Sequence, residues 1–124
     1  LIDKIEYLTD GDKKYPIAFT LNVMERAEEE YGGVGKWVKL MRGSEPSYKA
    51  LKFMILEMIN EGIDIENDKL KENQKMDFMT SKQVGRLISR IGFEESGKQI
   101  FKLINTALPK DTNPKNVVTT MSQK

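Results

Sequence analysis

Neither cysteine nor histidine occurs among the 124 residues. Without cysteine the chain cannot build disulfides, iron–sulfur clusters, thiolate zinc sites or a cysteine nucleophile. Without histidine it lacks the commonest general base, the Ser-His-Asp arrangement and most transition-metal sites. Few enzyme mechanisms survive both absences, so the expectation is a protein that is not an enzyme and has no cofactor or metal. An excess of one charge is missing too: 20 Lys+Arg stand against 19 Asp+Glu, a formal net charge of +1. No global field draws such a chain onto nucleic acid or an anionic membrane. No apolar run approaches the roughly 20 residues that span a bilayer, and Leu1-Ile2-Asp3-Lys4 holds no signal-peptide core. No membrane partner is expected, and the expected location is the cytoplasm.

What is present suffices for one domain. Hydrophobic residues make up 39% and charged residues 31%, apolar enough to collapse around a single core at this length. From about residue 5 to 19 the pattern alternates: Ile5 and Tyr7, the turn-forming Asp10-Gly11-Asp12, then Tyr15, Ile17 and Phe19. This predicts a β-hairpin with Pro16 on an edge, and a lone hairpin needs helices to cover its apolar side.

Thr20 in the N-cap position opens a helix from Leu21 to about Tyr31, closed by Gly32-Gly33. A short helix follows over about Lys36–Arg42, and Ser47 caps a third over about Tyr48–Glu61 with Gly62 as its stop. The charged stretch Ile63–Lys75, with Asn67-Asp68 in it, predicts a loop. Thr80 or Ser81 starts a fourth helix carrying Val84, Leu87, Ile88 and Ile91, and a fifth spans about Glu94–Leu108 with one apolar side. The fold class is therefore mainly α: an N-terminal β-hairpin on a bundle of about five short helices, residues 1–108, followed by a disordered tail over 109–124.

Several motifs invite a chemical reading. Gly32-Gly33-Val34-Gly35-Lys36 resembles the end of a phosphate-binding loop, but it follows a helix, and Trp37 stands where the Mg²⁺-binding hydroxyl belongs. Glu28, Glu29 and Glu30 point about 100° apart on a helix and cannot converge on one ion. Asp64, Glu66 and Asp68 have the alternation of a calcium loop, yet Lys69 holds the place that needs glycine. Lys82, Arg86 and Arg90 form one basic stripe at i, i+4 and i+8. With Gly92 and a following helix they make residues 80–108 resemble the second half of a helix-turn-helix. A solvated helix face explains the stripe as well, and nucleic acid is not the expected partner at this net charge. The methionines suit irregular core gaps and adaptable partner surfaces alike.

The order of elements resembles the tail assembly chaperones of long-tailed bacteriophages and prophages. The carrying residues are Asp10-Gly11 with Tyr15-Pro16-Ile17-Ala18-Phe19-Thr20, then Leu21 through Tyr31-Gly32, then Leu51 through Gly62 with its Asn-Glu-Gly end, and more weakly Thr80 to Ile88. The resemblance implies a non-enzymatic protein of the bacterial host cytoplasm, absent from the finished virion. Such a protein binds the long helical tape measure protein, keeps it soluble and helps recruit tail tube subunits. Many members are also made in a longer, frameshifted form. Two alternatives stand beside it: a small DNA-binding regulator using Lys82, Arg86 and Arg90, and a structural head or tail component.

A partner surface is expected on the third helix. At the helical turn of about 100° per residue, Met54, Ile55, Met58 and Ile59 fall beside Leu51 in one core stripe, whereas Phe53 and Leu56 fall on the opposite side. This second apolar strip, flanked by Lys49, Lys52 and Glu57, is either covered by another element or open to a partner helix or a second copy. Trp37 and Met41 on the second helix are the next candidates for a partner surface.

Overall fold

The computed structural model describes residues 4–107; the tail expected over 109–124 lies outside them. Strands β1 (Glu6–Asp10) and β2 (Lys13–Ile17) pair antiparallel across a two-residue loop. Gly11 takes φ +61° there, a conformation glycine adopts without steric cost. A two-residue loop closes on a hydrogen-bonded pair, so alternation puts Tyr7 opposite Pro16 in a non-hydrogen-bonded pair. Pro16 therefore removes no rung of the ladder. The inward residue of β1 is Leu8, fully buried, whereas Tyr7 is 46% exposed. The expected phase of β1 is one residue off, because Leu8 shares the inner face with Tyr15 and Ile17.

Helix α1 (Leu21–Tyr31) has the expected bounds, with Val23 and Ala27 buried. Gly32, at φ +87°, ends it as the Gly32 and Gly33 N–H groups close on the Glu28 and Ala27 carbonyls. Helix α2 (Val34–Met41) starts two residues earlier than expected. Helix α3 (Tyr48–Asn67) is capped by Ser47, whose hydroxyl accepts the Ala50 N–H at 3.1 Å. Helix α4 (Ser81–Ile91) opens on a reciprocal capping box between Thr80 and Gln83, and α5 (Phe93–Ala107) completes the set.

Two corrections concern the far end of α3. Gly62 does not stop the helix, which runs on to Asn67. A Cβ there would stand 2.5 Å from the Pro16 carbonyl oxygen, so this glycine lets the β2 backbone lie against the helix. The Ala18 N–H donates to the Met58 carbonyl at 3.1 Å in the same contact.

The expected loop over 63–75 is instead the last turns of α3, then a 3-10 turn at Glu72–Gln74 and an extended return segment. Asn60 and Asn67 each grip one backbone position of that segment with a full amide. Asn60 accepts the Met79 N–H at 2.8 Å and donates to its carbonyl at 3.0 Å; Asn67 does the same for Met76 at 2.9 and 3.0 Å. The spacing matches: seven helical residues rise about 10.5 Å, and three extended residues span about 10 Å.

The core lies around α3, which touches β2 and each of the other four helices. Leu51, Met54, Ile55, Met58 and Ile59 are all fully buried, as the stripe predicted. At about 25 cal/mol per Å² of apolar area, each contributes roughly 2–3 kcal/mol by leaving water.

Candidate functional site

The expected partner residues divide into two groups. Trp37 is fully buried and Met41 is 7% exposed, so α2 offers neither to a partner. The reason is a polar anchor that periodicity does not reveal: the Trp37 indole N–H donates to the Ala50 carbonyl at 2.9 Å, while its ring packs on Phe101 with centroids 5.3 Å apart. As surface candidates Trp37 and Met41 are therefore withdrawn.

Lys49, Lys52, Phe53 and Leu56 do share one face of α3, but that face is partly roofed. Tyr31 meets Phe53 edge-on at 5.2 Å, and the Arg26 guanidinium stands 5.4 Å from the Phe53 ring centroid. Arg26 is held in turn by Glu29 at 2.7 Å, Glu57 at 3.4 Å and Glu30 at 3.6 Å. Its pKa is raised above the usual value, chiefly by the Glu29 hydrogen bond, against the opposing effect of desolvation. On the other flank Lys52 is half-buried, with its stem running beside Gly85 of α4. Lys49 and Tyr48 stay exposed at the helix start, Tyr48 at 78% and edge-on to Phe93. The second strip is thus covered in part by α1, with Leu56 half-buried between the flanks.

The residues Asn60, Glu61 and Gly62 form a joint where the sequence pattern suggests a helix stop. Asn60 holds Met79, Gly62 admits Pro16, and Glu61 receives the Thr20 hydroxyl and, at 3.1 Å, the Asn22 amide. Thr20 occupies the N-cap position but its side chain accepts no capping N–H; the hydroxyl is turned toward Glu61 and donates to this carboxylate. The available signal is the triplet itself, three successive residues whose helical directions fan over more than half a turn and so reach three different neighbours.

No family model, no curated protein and no solved structure matches the chain.

Lys82, Arg86 and Arg90 are all exposed on α4, as the stripe predicted. Arg90 is not free. Its Nε donates to Asp10 at 2.9 Å, fastening α4 to the hairpin turn and raising the arginine pKa. Gly32 and Gly33 make the α1–α2 turn, with positive φ at both, as read from the sequence. Asp64, Glu66 and Asp68 sit on or at the end of α3, not in a loop. Among the described residues, no three acidic side chains are grouped to hold a metal ion.

Proposed function

We propose that the chain is a non-enzymatic tail assembly chaperone of a long-tailed phage or prophage. It would bind the tape measure protein, keep it soluble in the host cytoplasm and help recruit tail tube subunits, without entering the virion. The observation that carries the proposal is that the segments resembling the family are the ones in mutual contact. Tyr15–Thr20 lies on the Leu51–Gly62 stretch of α3 through Ala18 to Met58, Pro16 to Gly62 and Thr20 to Glu61. The absence of histidine and cysteine is compatible with such a role.

The partner face on this reading is the lysine-rimmed side of α3, with Lys49, Lys52, Phe53 and Leu56. The test begins with gene order, which should place a very long coiled-coil gene beside this one, and continues with co-expression of that gene's product as the tape measure protein. The tape measure should stay in the soluble fraction and co-purify with the parent chain, and a tape measure equally soluble without it would end the proposal. Phe53→Ser with Leu56→Ser strips the contact with α1 as well, so Lys49→Glu is the cleaner probe of the face. It should weaken retention while leaving the circular dichroism unchanged. The DNA-binding reading draws on Lys82 and Arg86, the two stripe residues with no ion-pair partner among the described residues. Salt-sensitive binding of the intact protein to a specific duplex would favour it.

A further inference from the structure

A groove runs between the outer edge of β2, the extended return segment and α4. Its apolar lining includes Ile63, Met79 and Met76, the last 37% exposed. Its cations are Lys14 on β2 with Arg86 and Arg90 on α4, and Asp77 is the one acid that lines it. Asp10 engages Arg90, whereas Lys14 and Arg86 have no carboxylate partner among the described residues.

We propose that this groove docks an acidic segment of a partner protein, with apolar side chains seated on the methionines and carboxylates received by Arg86 and Lys14. Three features select that occupant. A guanidinium takes a carboxylate through two parallel hydrogen bonds, and Arg86 has none to satisfy it among the described residues. Two methionines beside an isoleucine give an apolar lining that adapts to a side chain but offers nothing to a phosphate backbone. The segment that supplies them is held by Asn60 and Asn67 at Met79 and Met76, so the methionines are presented on a fixed backbone. Nucleic acid fits less well: Asp77 in the groove opposes a continuous polyanion more than a segment that brings one or two carboxylates to Arg86 and Lys14. The inference does not depend on the chaperone reading, since it concerns the chemistry of the segment and not the identity of its owner.

Fluorescence anisotropy of the whole chain with three labelled probes tests it: a short peptide with glutamate on one face and leucine on the other, its glutamine-for-glutamate counterpart, and a DNA duplex. The glutamate peptide should bind, and more weakly as salt rises. Arg86→Glu and Lys14→Glu, both at exposed positions, should each weaken it by about tenfold or more. The glutamine peptide should be weaker by a similar factor, and Met76→Ser should weaken both peptides. Amide shifts on titration should centre on residues 76–79. The proposal is overturned if the parent does not bind the glutamate peptide, or if the charge reversals leave its affinity unchanged. Tighter binding of the duplex, lost in Arg86→Glu, would overturn it in favour of nucleic acid.

Discussion

The two ends of α3 are held by different kinds of contact. Around its first half, Ala50, Leu51, Met54 and Ile55 meet side chains, and the polar addition is the Trp37 indole on the Ala50 carbonyl. Around Asn60–Gly62 the neighbours are largely backbone: the Met79 amide and carbonyl and the Pro16 carbonyl. Side chains in a core repack when one changes, at a cost set by volume. A backbone group held at a fixed distance has no rotamer to change. The first half should therefore tolerate substitution by degrees, and the second should fail at once.

Gly62→Ala gives that contrast its strongest test. Alanine improves intrinsic helix propensity by about 1 kcal/mol, yet its methyl would sit 2.5 Å from the Pro16 oxygen. Urea denaturation should show a net loss of about 2–3 kcal/mol; a stabilised protein would mean that the hairpin yields easily. Asn60→Ala should follow, since it strands both the Met79 N–H and carbonyl, and a loss of about 2 kcal/mol is expected in the same measurement. In the first half, Trp37→Phe removes one hydrogen bond and part of a ring. It should cost about 1–2 kcal/mol, read by thermal melting in circular dichroism. If it cost more than Gly62→Ala, the contrast between the ends would be wrong.

Ser96→Ala should act in the opposite direction. The Ser96 hydroxyl is buried without a hydrogen-bond partner among the described residues, so its removal should raise stability by up to about 1 kcal/mol. The smallest effect concerns alkali. Burial, helped by the Glu30 charge, raises the Tyr31 pKa above its ordinary 10.0. The unfolded chain then loses this proton at lower pH than the folded one, so the contribution is complete below pH 10 and fades as pH climbs through the folded value. Tyr31→Phe should flatten the stability profile above that pH, and absorbance titration at the tyrosinate band should show one delayed phenol missing.

What could be read in advance was what lies close along the chain. The bounds of α1, the start of α4 at Thr80 or Ser81 and the hairpin turn all follow from residues within one or two turns of each other. The phase of β1 and the start of α2 were misread on local grounds, whereas the misreadings around α3 involve a more distant neighbour. Gly62 has the look of a stop until Pro16 is placed beside it, and Thr20 has the look of a cap until Glu61 claims its hydroxyl. Asn67, taken for a loop signal, is a side chain of the last helical turn holding Met76. The candidate surface on α3 was legible as a second apolar strip; its cover by Tyr31 and Arg26 depends on the crossing of two helices and was not.

The contact between Thr20 and Glu61 joins residues 41 positions apart, which orders events during synthesis. The hairpin is made before α3, and a two-stranded ribbon alone in water is marginal. Local turns and helices can form in microseconds, but this ribbon has no surface to settle on until the second half of α3 has been made. At translation speeds of 5–20 residues per second that wait lasts about 2–8 seconds. For that interval Leu8, Ile17 and Phe19 lack the completed core that buries them in the folded domain, so the hairpin is a stretch that gains from protection while α3 is being made.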